Sequence, residues 1–455
     1  MRIAVVGGGI TGLAAAHRII SSGADADVTV FERSDRLGGK LWTDRAGNTV
    51  IERGADSYLA AKPWATALAD ELGIADRLQS TDQTHRGTFI MRNGELHPMP
   101  EGLSGLVPTR LLPVIQSSLL TWPEKLRFAA EPIIPARKNS GEESMASFMR
   151  RRFGNGVYDV LIDPLLSGIY AGRGDKLSLN ATFPNLVRLE QEHGSLFRGA
   201  LARKRTGTAA RAGFLSFDSG LGCLIERLVE YLQRSGTGIL MGQQIDAVTL
   251  HGETIRFGDD PFDRVIIATD ATSAAGLLNT VAPAASVELS EIRLTSTVTV
   301  AMVFDLGDIP HPLHGHGYVI PRAEGRPCLA MTWMSSKWRG RTQDGKALIR
   351  VFIGRDGDEE WINAPDDSII ETALEEARRT LGITSVPEHT VITRWRSAMP
   401  QYHLGHAHRI SRIEADVSRL PGIELAGNYL RGVGIPDCIR EGQAAADRLL
   451  SARRG

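Results

Sequence analysis

Residues 3–12 read Ile-Ala-Val-Val-Gly-Gly-Gly-Ile-Thr-Gly, a short apolar run that breaks into glycines. The run at 3–6 predicts a buried parallel strand. Residues 11–22 predict a helix, with Leu13, Ala14, Ala16 and Ile20 on its apolar side. Between them Gly7, Gly9 and Gly12 fall on G-x-G-x-x-G. A chain that turns this sharply from strand to helix, and lets a pyrophosphate approach its backbone, needs positions without a Cβ. The free N–H groups and the dipole at the helix start then favour the phosphate charge. A second apolar strand at 28–31 closes with Glu32, which stands 20 residues past Gly12, where a carboxylate can hold ribose hydroxyls. Strand, glycines, helix, strand and acid together predict a dinucleotide-binding unit rather than a plain turn.

The rest of the chain bounds that unit. With 455 residues, two or three domains are expected. Hydrophobic content of 42% and charged content of 23% are those of an ordinary globular enzyme. A net charge of −1 gives no electrostatic case for nucleic acid. Cys223, Cys328 and Cys438 are odd in number and far apart, so neither a disulfide framework nor a metal spacing follows. Reduced cysteines and a first strand that begins at once predict a cytoplasmic protein without a signal peptide. No apolar run reaches the ~20 residues that span a bilayer.

Further along, Gly38-Gly39-Lys40 follows Arg33, an extension that a nicotinamide-binding unit does not require. Residues 63–72 predict a helix stopped by Gly73, and 86–99 a hairpin turning at Asn93-Gly94. Helical patterns dominate 103–210, at 110–120, 123–130, 144–153 and 157–166, so an inserted helical domain is expected. The apolar stretch 111–120 reads as a core helix over a cavity rather than a membrane-surface helix. Residues 163–172, with Gly168 and Gly172 around Tyr170, read as a segment where backbone comes close to a large ligand. The basic stretch 199–213 reads as a surface loop. Strands are predicted at 238–241, 246–250 and 262–269, and a second, more exposed sheet from 291–305 and 346–354. Near the C-terminus, a strand at 422–428 enters a glycine turn, and Gly434-Ile435-Pro436 starts a helix running to about residue 451. Two glycine-led helix starts at opposite ends of one chain favour a tightly held FAD over an exchangeable NAD. The second start can stabilise charge on a reduced flavin ring. The clusters His311/His314/His316 and His403/His406/His408 lack carboxylate or cysteine partners at fixed spacing, so no metal site is assigned.

Five stretches are similar to one family: GGGITGLAAA at 7–16, ERGADSYL at 52–59, LLSGIYAGRGDKLSLNATFP at 165–184, RWRSAMPQYHLGH at 394–406 and GVGIPDCIREG at 432–442. Together they resemble the oxygen-dependent, FAD-containing porphyrinogen oxidases of haem biosynthesis, an amine-oxidase-like flavoprotein family. The first and last fix only the cofactor; the third is the specific one. The resemblance implies an α/β fold with α+β lobes: a Rossmann-type FAD domain (1–85, 212–275, 405–455), a mixed-sheet substrate domain (86–102, 276–404) and an inserted helical domain (103–211). It implies FAD contacts at Gly7, Gly9, Gly12, Glu32, Arg33, Gly39, Lys40, Gly54, Ala55, Ile245, Gly427, Gly434 and Ile435. Asn428 stands where family members often carry Asp.

The resemblance further implies a six-electron oxidation of coproporphyrinogen III to coproporphyrin III, with O₂ as acceptor and H₂O₂ released. The sister activity on protoporphyrinogen IX is the alternative. A porphyrinogen loses hydride from a meso carbon and a proton from a pyrrole nitrogen. The pyrrole stabilises the developing cation, so no strong protein base is required, and no acid/base constellation is found. For the pocket, Gly168, Ile169, Tyr170 and Phe352 are expected as walls, and Arg86 as a partner for substrate carboxylates. Peripheral membrane contact and transient contact with a ferrochelatase are the remaining partner expectations. An amine oxidase would show an aromatic pair at the flavin, and none is identifiable. A non-enzymatic tetrapyrrole carrier would leave its flavin unbleached by substrate.

Overall fold

The structure, a computed structural model, describes residues 1–101, 103–104, 107–108, 111–137, 141–205, 213–252, 254–258 and 260–451. Its first layer is a five-stranded parallel sheet, in the order Gly238–Met241, Asp27–Glu32, Arg2–Val6, Arg264–Ile267, Ile423–Leu425. The chain enters at the centre. Because side chains alternate along a strand, Ile3 and Val5 face one core, while Ala4 and Val6 face the other. Helices Ile10–Ser21, Gly222–Arg234 and Ile435–Ser451 cover the first face. Helices Ala271–Leu278, Pro283–Ser290 and His406–Val417 cover the second. Both faces buried is the condition under which a parallel sheet is stable. The strand expected at 246–250 is shorter, Thr249–His251, and belongs to a small antiparallel meander beside this sheet.

The second layer is a seven-stranded sheet, ordered His389–Pro400, Leu294–Asp305, Lys346–Ile353, Cys328–Trp333, Gly317–Val319, Phe89–Arg92, Glu95–Pro98. One pair, Gly317–Val319 with Phe89–Arg92, is parallel and the others are antiparallel, so the sheet is mixed. The hairpin turns at Asn93 and Gly94, both at positive φ, as a tight two-residue turn requires. This sheet is not the exposed one that the sequence suggests. Strands Leu294–Asp305 and Lys346–Ile353 are buried along nearly their whole length. Val298, Val300, Ile349 and Val351 pack on the helix Asp366–Leu381. The opposite face, carrying Thr299, Ala301, Arg350, Phe352, Ala330 and Thr332 by register, looks towards residues 51–58. Threonines in a strand suggest a solvent-facing side, but Thr299 is buried and donates to the Arg53 carbonyl.

Helices dominate residues 111–205, as expected, around a core that includes Phe128, Phe153 and Phe197. The expected helix at 110–120 is shorter, Leu111–Gln116; Arg110 lies outside the described residues. The expected loop at 199–213 is instead helix through Leu196–Arg205, and residues 206–212 lie outside the described residues. Residues 155–170 run as one rod with a π turn at Tyr158–Ile162 before the helix Asp163–Tyr170. Pro164 explains the irregularity: it offers no N–H to the turn before it. Gly168 sits inside this helix. The chain reverses at Ala171, at φ +49°, and not at a glycine.

Candidate functional site

At the C-terminal ends of the parallel strands, Gly7 takes φ +113°, and a Cβ there would lie 2.6 Å from the Ala268 carbonyl oxygen. A Cβ on Gly12 would lie 1.9 Å from the Gly7 carbonyl oxygen, so the helix rests directly on the turn. Gly9 is different. It caps the helix Ile10–Ser21 without a side-chain bond, no acid occupies the first turn, and a Cβ would meet nothing nearer than Gly39 Cα at 4.0 Å. Gly38 donates to the Gly8 carbonyl at 2.8 Å, laying the Gly38-Gly39 turn alongside Gly8-Gly9. Two glycine backbones side by side leave room and amides for an anion.

Glu32 is held from below. Its Oε2 accepts the Gly8 amide at 2.8 Å, and its Oε1 accepts both the amide and hydroxyl of Ser34. Oε2 keeps an open acceptor position. Arg33 is exposed and 3.7 Å from Asp270. Ile245 is half-buried past the edge strand, where Gln243 donates to the Glu32 carbonyl. Lys40 has neither ion pair nor hydrogen bond for its ammonium among the described residues, and burial pushes its pKa down. A desolvated cation without a partner is costly unless an anion belongs beside it.

The C-terminal elements come to the same place. Gly442 packs so closely that a Cβ would lie 2.2 Å from the Thr11 carbonyl oxygen. Thr11 and Lys40 lie close enough to the Cys438 thiol to oppose the rise that burial causes in its pKa. The starts of helices Ile10–Ser21 and Ile435–Ser451 therefore converge, with Lys40 close enough to influence Cys438. Gly427 sits under Tyr429, Gly434 packs beside the Asp437 carboxylate, and Ile435 is buried. All three cysteines are free and buried.

Gly54 and Ala55 lie on the segment between the two sheets. A Cβ on Gly54 would lie 2.1 Å from the Lys40 carbonyl oxygen. Arg350 donates to the carbonyls of Glu52 and Gly54 at 2.8 and 2.7 Å. Asp56 accepts from Lys337 at 2.6 Å and from Trp338 Nε1 at 3.0 Å, with Arg350 at 3.3 Å. Burial pushes the Asp56 carboxyl up, but the two cations together hold it well below the usual carboxylate range. Glu52, buried with Arg341, is pushed up by burial, which outweighs that partner.

Gly168 and Ile169 are exposed, and a Cβ on Gly168 would meet nothing within 4 Å. Tyr170 is buried in the helical core, 6.0 Å from the Tyr402 ring, and influenced by the Asp437 charge. The end of the helix Asp163–Tyr170 thus stands beside the start of the C-terminal helix. Phe352 lies on the sheet face that meets residues 51–58, with the Arg350 guanidinium 4.8 Å from its ring. On the same face a cavity of about 200 Å³ is lined by Thr81, Thr88, His316, Thr332 and Lys337, among others. Arg86 is not the cation there. It is exposed on the 81–88 loop, with its Nε donating to the Gln83 carbonyl; Lys337 lines the cavity instead. Sequence alone offered no signal for Lys337, whose partner Asp56 is 281 residues away. Asp56 itself stands inside the ERGADSYL stretch.

The histidine clusters serve loops. His316 Nε2 is 3.1 Å from the Asp82 carbonyl, and His406 Nε2 is 3.2 Å from that of Leu430. Among the described residues no group of three or more potential ligands is placed to hold a metal, and no helix is long and apolar enough to cross a membrane.

Glycine cradle, unpaired Lys40 and converging helix starts fit a dinucleotide that reaches from Glu32 to the C-terminal helix, as FAD does. The family model for flavin-containing amine oxidoreductases matches residues 10–450. The chain is 37% identical to coproporphyrinogen III oxidase of Bacillus subtilis, over 99% of this chain and 98% of that one. It is 34% identical to coproporphyrinogen III oxidase of Propionibacterium freudenreichii, over 99% and 91%. A solved structure from Exiguobacterium sp. 255-15, named as a candidate protoporphyrinogen oxidase, superposes with a TM-score of 0.86 at 34% identity, covering 98% of each chain. The chain belongs to the flavin-containing amine oxidoreductases and is an FAD-dependent oxidoreductase, grouped with the porphyrinogen oxidases.

Proposed function

We propose that this protein oxidises coproporphyrinogen III to coproporphyrin III. The observation that supports the reading is that Gly168 and Ile169 stand exposed at the end of their helix, with nothing within 4 Å of a Cβ on Gly168, while Arg350, beside Phe352 on the mixed sheet, donates to the Gly54 carbonyl. Gly168 lies in the last turn of its helix, where carbonyls lack the next turn of amides. Such a carbonyl accepts pyrrole N–H groups and orients the macrocycle. Ile169 and Phe352 supply apolar walls that exclude water from the meso carbon. Lys337, with Thr88 and Thr332 near it, offers donors to a propionate. The cluster Asp56, Lys337 and Arg350 carries one more positive than negative charge, which suits an anionic group. Gly7, Gly9, Gly12, Glu32, Gly39, Lys40, Gly427, Gly434 and Ile435, with Arg33 and Ile245 towards the adenosine, would hold FAD, which would supply two-electron hydride acceptance and reoxidation by O₂. The chain's own contribution is position and electrostatics, since the pyrrole itself stabilises the developing cation.

On this reading residues 1–85, 212–275 and 405–455 form the cofactor domain, 86–102 and 276–404 the substrate domain, and 103–211 the helical domain of a cytoplasmic enzyme. Trp122 and Leu126, one turn apart and about 70% exposed, support peripheral membrane contact by the helical domain. The sequence resemblance supports hand-over of the porphyrin to a ferrochelatase.

Assay of the FAD-loaded protein with both porphyrinogens tests the substrate. Faster appearance of porphyrin fluorescence from coproporphyrinogen III is expected. Faster turnover of protoporphyrinogen IX transfers the assignment to the sister activity, which the name of the Exiguobacterium relative favours. Fluorescence from neither overturns both.

A further inference from the structure

The segment that leaves the long edge strand His389–Pro400 bridges the pocket helix and the loop before the C-terminal helix. Tyr402 is fully buried in it. Its hydroxyl donates to the Asn428 carbonyl and accepts the Gly432 amide at 2.8 Å. One oxygen therefore spans the turn 428–432. The Tyr402 ring stacks on His406 at 4.1 Å with an 11° tilt between planes, and His406 reaches the Leu430 carbonyl in the same turn. On its other side Tyr402 meets the Tyr170 ring, while Gln401 donates to the Tyr170 carbonyl at 2.7 Å. The turn leads directly into the helix Ile435–Ser451, through Gly432 at φ +104°. The field of a helix terminus acts within about one turn, so its effect on a neighbouring charge depends on where that first turn is held.

We infer that Tyr402 is a positioning residue for the flavin chemistry: its hydroxyl fixes residues 428–432, and so sets where the C-terminal helix start meets the reduced flavin ring. Tyr402 acts through this backbone. Tyr402→Phe keeps the ring on His406 and removes one donor and one acceptor from the turn.

With the helix start less firmly held, the negative charge of reduced FAD is less stabilised. At a fixed potential the ratio of reduced to oxidised FAD in Tyr402→Phe is expected to fall about tenfold, a shift of roughly 30 mV for a two-electron couple. The titration needs no substrate, so its outcome is independent of which porphyrinogen is oxidised. Hydrogen exchange on the FAD-free variant supplies the second readout: faster exchange is expected over residues 427–436 and not elsewhere. A potential equal to that of the unaltered protein overturns the assignment, whatever the exchange shows. If the variant loses FAD, exchange decides: acceleration confined to 427–436 supports it, and acceleration throughout the chain assigns Tyr402 to general stability instead.

Discussion

A methyl group separates two glycines of the cradle. On Gly12 it would sit 1.9 Å from the Gly7 carbonyl oxygen, inside the protein's own packing; on Gly9 it would meet nothing nearer than 4.0 Å. Gly9→Ala is therefore expected to leave the melting temperature of the FAD-free protein within about 1 °C, since surface changes away from special features cost little, yet to weaken FAD binding at least about tenfold, a loss of ~1.4 kcal/mol. Gly12→Ala should lower stability even without FAD. Calorimetry and flavin fluorescence titration separate the two. The pattern announced both glycines equally, because the motif records where a Cβ is forbidden and not what forbids it. Lys337 had no such signature. Lys337→Met leaves Asp56 its Trp338 and Arg350 partners. Loss of one charged hydrogen bond, about 1.5–3 kcal/mol, predicts a KM for coproporphyrinogen III raised by roughly ten- to a hundredfold with kcat little changed, read from steady-state rates.

Among the elements, the helices around residues 111–205 were legible from their apolar period, but what ties them together was not. Arg152 and Glu131 are both fully buried. Arg152 also reaches the carbonyls of Ile134 and Gly194, while Glu131 accepts the Ser195 hydroxyl and the Leu196 amide. Three separate stretches, 131–134, the helix carrying Arg152, and 194–196, meet on this pair. Arg152→Met leaves Glu131 a buried charge with only neutral donors, at a cost of about 3–5 kcal/mol. Urea denaturation should show a midpoint lowered accordingly. The sheets teach a related lesson. Alternation marks the strand at 291–305, and its threonines suggest exposure. Thr299 instead bonds across to Arg53. Polarity in a strand does not distinguish water from a neighbouring loop as its partner.

At the scale of the whole molecule, the segment 400–406 joins the mixed sheet, the helix Asp163–Tyr170 and the turn before the C-terminal helix. Its His406 is buried against Tyr402, and burial lowers its pKa to about 4. The unfolded chain then binds a proton that the native chain refuses between pH 6.5 and about 4. Stability contributed by neutral His406 is fully present above pH 6.5 and is lost progressively as pH falls towards 4, by up to about 3 kcal/mol. Thermal melts of the FAD-free protein between pH 4 and 7 should show this slope, and His406→Phe should flatten it.

By itself the sequence determined the local geometry. Glycines at 7, 9 and 12 dictate the turn, alternation dictates the strands, and Pro436 marks a helix start, because each follows from sterics within a few residues. It also determined the family, through motifs spread from residue 7 to residue 442. Only the tertiary structure decided which distant groups share one space. Thr11 with Gly442, Asp56 with Lys337 and Tyr402 with Gly432 are contacts between segments far apart in the chain. They form where packing brings the layers together, and no local preference records a neighbour that only folding supplies.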